Sequence, residues 1–86
     1  MRKFTYPIVF ILNQETNFHN GYIPDLALFS EGQNIEDVYE EMTDILRNYI
    51  SLAIKYEADV PLPSTLNDIT GKWPGYKVSL ITAELK

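Results

Sequence analysis

The stretch NIEDVYEEMTDILRNYISLAIK, residues 34–55, decides the fold. Its apolar positions Ile35, Val38, Tyr39, Met42, Ile45, Leu46, Tyr49, Ile50, Ala53 and Ile54 keep a three-four spacing, which predicts one long helix with a single face for a core. Asn34 is an N-cap residue, and Asp37, three positions on, makes a weaker form of the capping box. Glu36, Asp37, Glu40 and Glu41 place negative charge at the positive end of the helix; Arg47 and Lys55 sit toward its negative end.

Outward from the helix the pattern changes to strands. Phe4 to Leu12 (FTYPIVFIL) is β-branched and aromatic and holds Pro7, so it reads as a strand, irregular or at an edge near the proline. Tyr6, Ile8, Phe10 and Leu12 share one side of it, Val9 and Ile11 the other, and both sides are apolar. The polar run Asn13 to Asn17 is a turn, Phe18 to Pro24 a second strand, Pro24-Asp25 a second reversal, and Leu26 to Glu31 a short third strand ended by Gly32. Three strands so closely connected predict an antiparallel meander.

After the helix, Val60-Pro61-Leu62-Pro63-Ser64 is a rigid extended connector, and Thr65 to Gly75 reads as a loop on the strength of Gly71 and Pro74-Gly75. Tyr76 to Leu85 is the final strand, with Tyr76, Val78 and Leu80 on its main apolar side, while Ile81 and Leu85 make the Lys77 and Ser79 side partly apolar. The expectation is an α+β fold of order β-β-β-α-β, a small antiparallel meander plus a fourth strand, with one long helix packed on one face. One helix covers one face of a sheet. The second apolar face therefore calls for a second copy of the chain or a different protein.

The 86 residues make one domain, 1–86, and 45% apolar with 13% aromatic content is ample for a globular core. With no cysteine there is no disulfide framework, thiolate metal site or cysteine nucleophile, which fits a reducing cytoplasm. Seven Lys and Arg against twelve Asp and Glu, a net charge of −5, argue against nucleic-acid binding and point to a neutral or basic partner. The longest uninterrupted apolar run, Ile8 to Leu12, is far below the roughly 20 residues of a bilayer span, so no membrane role is expected.

Catalytic and cofactor chemistry finds little footing. A two-metal nuclease needs carboxylates converging from the first strand, the helix and a later strand. The first strand holds no Asp or Glu, and Glu84 sits at the end of the last. His19, the single histidine, lies among Asn17 and Asn20 with no nucleophile motif nearby and reads as solvated. No phosphate-loop pattern exists. Trp73 reads as a lid over the fold more than as a partner anchor, and Tyr39, Tyr49 and Tyr56 as core and core-rim residues. Six acids with no base among them run from Glu31 to Asp44. They fit a solvated helix face and an electrostatic docking patch equally well.

Taken together, Tyr6-Pro7, then Gly21-Tyr22-Ile23-Pro24-Asp25-Leu26, Glu31-Gly32-Gln33-Asn34-Ile35-Glu36-Asp37 and finally Val60-Pro61-Leu62-Pro63-Ser64 resemble the HicB-like antitoxin family in order and spacing. Two departures stand out. Ala27-Leu28-Phe29 takes the place of the family's Pro-Gly-Cys, and Gln33-Asn34 that of Asp-Thr. The resemblance implies a partial ribonuclease H-like fold without catalysis, a cytoplasmic location, and self-association as a dimer or tetramer. It also implies a role in silencing a HicA-type toxin, a small basic ribonuclease that cleaves mRNA. Many members carry a DNA-binding region after this domain; these residues stop at the last strand, so direct nucleic-acid binding is not expected of them.

The implied function is a non-enzymatic antitoxin that occludes its toxin, with no cofactor and no metal. The interface candidates are Asp25, Leu28, Phe29, Glu31, Glu36, Asp37, Glu40, Glu41 and Asp44. The rival reading is an orphan homo-oligomer of the same fold with a structural or small-ligand-binding role.

Overall fold

A computed structural model describes residues 2–85. In chain order it contains β1 (Arg2–Leu12), β2 (His19–Ile23), β3 (Leu28–Gly32), α1 (Ile35–Lys55), α2 (Leu66–Lys72) and β4 (Lys77–Leu85). The strands form one antiparallel sheet in the order β3-β2-β1-β4. The meander, the fourth strand and the long helix are as expected. The loop predicted for 65–75 is not. Thr65 accepts a hydrogen bond from the Asp68 N–H through its side chain, and that cap starts a short helix which the glycine and proline signals downstream obscure.

α1 begins at Asn34, whose side chain accepts from the Asp37 N–H at 2.9 Å. It ends in a Schellman arrangement: the Ala58 N–H donates to the Ala53 carbonyl, and Glu57 takes the left-handed conformation at φ 54°. Val38, Met42, Leu46 and Ile50 are completely buried against Tyr6, Ile8 and Phe10 of β1, Ile23 of β2 and Ile81 and Ala83 of β4. Each large aliphatic side chain so buried contributes roughly 1.5–3 kcal/mol. Val38 lies in a notch made by two glycines: a β-carbon on Gly21 would stand 2.5 Å from its Cγ1, and one on Gly32 3.0 Å from its Cγ2. Tyr49 packs on this core, Tyr39 is at its margin, and Tyr56 is 70% exposed and belongs to neither core nor rim.

The side of β4 that meets α1 carries Ile81 and Ala83, so its main apolar side is the reverse of the one expected; Leu80 is left exposed. Both sides of the strand are apolar, and alternation alone does not say which one the helix takes. β2 and β3 are shorter than predicted because 24–27 form a turn held by Leu26 N–H to Ile23 C=O and Ala27 N–H to Pro24 C=O, with Ala27 left-handed at φ 54°. Pro7 is buried in an inner strand, and at the proline that strand is paired on its β4 side only, the local edge expected there. The β2 ladder runs only from Val9 to Leu12, so the proline lies beyond it.

The second face of the sheet is partly covered by the chain itself. α2 lies against β1 and β4, and Ile69, 2% exposed, is its buried anchor. Trp73, at the end of α2, packs edge-on against Tyr22, which pairs with the fully buried Val9 and so shares its side of the sheet. The need for an outside cover on this face is correspondingly smaller than the strand patterns imply.

Candidate partner interface

β3 is one edge of the sheet, and its pleat divides two of the candidate residues. Leu28 turns toward α1 and packs on the core, so it is a packing residue first. Phe29 turns the other way and is 75% exposed, and Glu31, two positions on, shares its side. The register pairs Phe29 with Tyr22, and Tyr22 meets Trp73, which meets Tyr76 with ring centroids 5.9 Å apart. An aromatic row thus crosses the second face and opens to solvent at Phe29. Of this row the sequence reading singled out Phe29 and Trp73; Tyr22 joins them through strand register, for which the signal is the period-two alternation of β2 and β3, and Tyr76 through its edge-on contact with Trp73.

The helix acids line the same edge from the other side. Asp37, Glu41 and Asp44 recur at i, i+4 and i+7, one stripe of α1, and Asp37 stands beside Gly32 of β3. The opposite flank of the helix is fixed by Tyr39, whose hydroxyl donates to the Leu80 carbonyl of β4 at 3.1 Å. Glu36 and Glu40 face outward between the two flanks. All five helix acids are exposed. Asp44 pairs with Arg47 at 2.8 Å; among the described residues Glu31, Asp37 and Glu41 have no cation within bonding distance. The β3 edge is therefore an exposed phenylalanine flanked by acids from both layers.

Asp25 has a different role. Its Oδ2 accepts from the Ser64 N–H at 2.9 Å and its Oδ1 from the Ser64 hydroxyl at 2.6 Å, so both oxygens tie the β2-β3 turn to the connector before α2. Nearby the Tyr6 hydroxyl donates to the Pro61 carbonyl at 2.7 Å. Burial pushes the Tyr6 phenol above its ordinary value of 10.0, with Asp25 and Tyr49 adding to the rise. Asp25 thus clasps the 60–65 segment.

His19 opens β2 and is half-buried, opposite Leu12 and Gly32. Among the described residues no three His, Asp or Glu side chains gather into a metal-binding group, and no helix is long and apolar enough to cross a membrane. Two shallow concavities lie away from the acid edge: one is lined by Arg2, Ser51, Ile54 and Leu85, the other by Tyr49, Leu52 and Ala53 of α1 and by Tyr56, Ala58 and Asp59 just after it.

No family model matches the sequence, and neither does any curated protein. Solved structures do match the fold. The N-terminal domain of the Burkholderia pseudomallei antitoxin HicB superposes with a TM-score of 0.82 at 19% identity, over 95% of this chain and 100% of that domain. The Burkholderia pseudomallei antitoxin HicB also matches, with a TM-score of 0.81 at 19% identity, over 95% of this chain; the match spans 63% of that protein. A chain of a toxin-antitoxin complex from Streptococcus pneumoniae gives 0.80 at 16% identity, over 96% of this chain and 70% of that one. This chain has the α+β fold of the N-terminal domain of a HicB antitoxin.

Proposed function

We propose that the chain is a non-catalytic antitoxin that binds a basic, mRNA-cleaving toxin of the HicA type and covers its RNA-binding surface. The observation that carries this reading is the likeness along the whole length of a HicB N-terminal domain. The β3 edge supplies the matching chemistry. An RNA-cleaving protein must attract phosphate with Lys and Arg, and a band of carboxylates competes for the same charges. Phe29 adds an exposed apolar anchor at the centre of that band. On this reading the domain is a partial ribonuclease H-like scaffold, works in the cytoplasm and self-associates, and makes no contact with nucleic acid itself.

Titrating the chain into a HicA-type toxin by calorimetry at rising salt tests the proposal. Binding at low salt that weakens as salt rises is expected, because screening acts on exposed charges. Reversing Glu31, Asp37 and Glu41 to Lys should weaken it further. Absence of binding at low salt would leave the rival reading, an orphan structural or ligand-binding homo-oligomer.

A further inference from the structure

The connector between α1 and α2 carries the most exposed large apolar side chain among the described residues, Leu62 at 88%. Leu62 stands between Pro61 and Pro63. Each proline fixes its own φ, and a residue before a proline is kept extended, so Val60 and Leu62 have little backbone freedom to lose. The residues on either side of Leu62 are also tied down. The Pro61 carbonyl accepts from the Tyr6 hydroxyl at 2.7 Å, and Ser64 donates to Asp25 through its N–H at 2.9 Å and its hydroxyl at 2.6 Å. The leucine is thus fastened before and behind, with its side chain in solvent. Along the same stretch of chain Glu57, Asp59 and Asp68 are exposed, and no Lys or Arg occurs between Lys55 and Lys72. Among the described residues none of these three acids has a cation within bonding distance.

We propose that Leu62 is an apolar anchor for the basic toxin, seated in a pocket of that partner, and that the Asp25 clasp is the device that holds it ready. The inference rests on the antitoxin reading and extends its interface from the β3 edge to the connector. Asp25 links the two. It belongs to the turn that leads from β2 into β3, and so to Phe29, while both its oxygens hold Ser64. Charge selects the partner. A second copy would bring its own Glu57, Asp59 and Asp68 against these, in a chain of net charge −5, whereas a surface rich in Lys and Arg gains from them. The prolines and the clasp act through entropy: a segment already fixed in one conformation gives up little on docking, so more of the leucine's burial appears as affinity. Asp25 is here a positioning residue, since its carboxylate is occupied by Ser64 and reaches the partner only through the segment it holds.

Calorimetric titration of variants of the full chain into a HicA-type toxin at low salt tests it. Leu62→Ser should weaken binding about ten- to a hundredfold, the worth of one buried leucine, while its urea midpoint stays at the wild-type value because the side chain is exposed in the free chain. The salt dependence should keep the wild-type slope, since no charge is removed, and Leu62→Met should keep the affinity. Asp25→Ala should weaken binding in the wild-type background and change it little further beside Leu62→Ser, which separates positioning from a general loss of stability. Equal costs of Asp25→Ala in the two backgrounds overturn the positioning role. If wild type binds and Leu62→Ser binds as tightly, the inference is overturned and the antitoxin reading stands; a lower mass of that variant in light scattering would then give the leucine to a second copy. Absence of binding by wild type overturns both.

Discussion

Val38 comes close to the sheet because Gly21 and Gly32 leave room beneath it, and this approach sets the height of α1 above β2 and β3. Gly21→Ala should destabilise the fold by about 1–3 kcal/mol through overpacking, and Val38→Ala should recover part of that loss in the double variant. Urea unfolding of the three proteins measures it. Tyr6 makes a second test at the same scale. Its phenol is neutral in the folded protein and titrates above 10.0, so between the unfolded and folded values only the unfolded chain gives up the proton. Stability contributed by Tyr6 is therefore complete below pH 10 and lost as pH rises beyond it. Tyr6→Phe should cost about 1 kcal/mol at neutral pH, through the lost bond to Pro61, and should lose less stability than wild type on moving to alkaline pH. An equal alkaline loss in both proteins would contradict this assignment.

At the scale of elements, α2 is held to the second face by little beyond Ile69 and Trp73. Ile69→Ala should cost about 2–4 kcal/mol and loosen α2 before α1. The fluorescence of Trp73, the single tryptophan, and amide exchange across 66–72 would report that order. α1 was legible in the sequence because its apolar spacing, cap and charge gradient all agree. α2 was not, since one Thr65 cap competes with Gly71, Pro74 and Gly75, and a seven-residue helix is too short for periodicity to assert itself. The candidate interface was readable to a similar extent. The acid run and Phe29 stand out in one dimension, whereas Asp25 and Leu28 carry the same residue types as an interface and turn out to clasp the connector and pack on the core. Only the register of β2 with β3, and the way the chain rounds Asp25 to reach the second face, separates the two groups.

For the whole molecule, the net charge of −5 is unevenly spread. Six of the twelve acids fall between Glu31 and Asp44, most of them exposed around one edge, while the other edge is long and neutral. The central claim concerns the acid edge, and the most direct measurement is cleavage of an mRNA by a HicA-type toxin at low salt with increasing chain. Protection that is complete near equimolar chain, and is lost when Glu31, Asp37 and Glu41 are reversed to Lys but kept when Glu15 and Glu84 are, is the result predicted. Undiminished cleavage with excess folded chain would contradict the account.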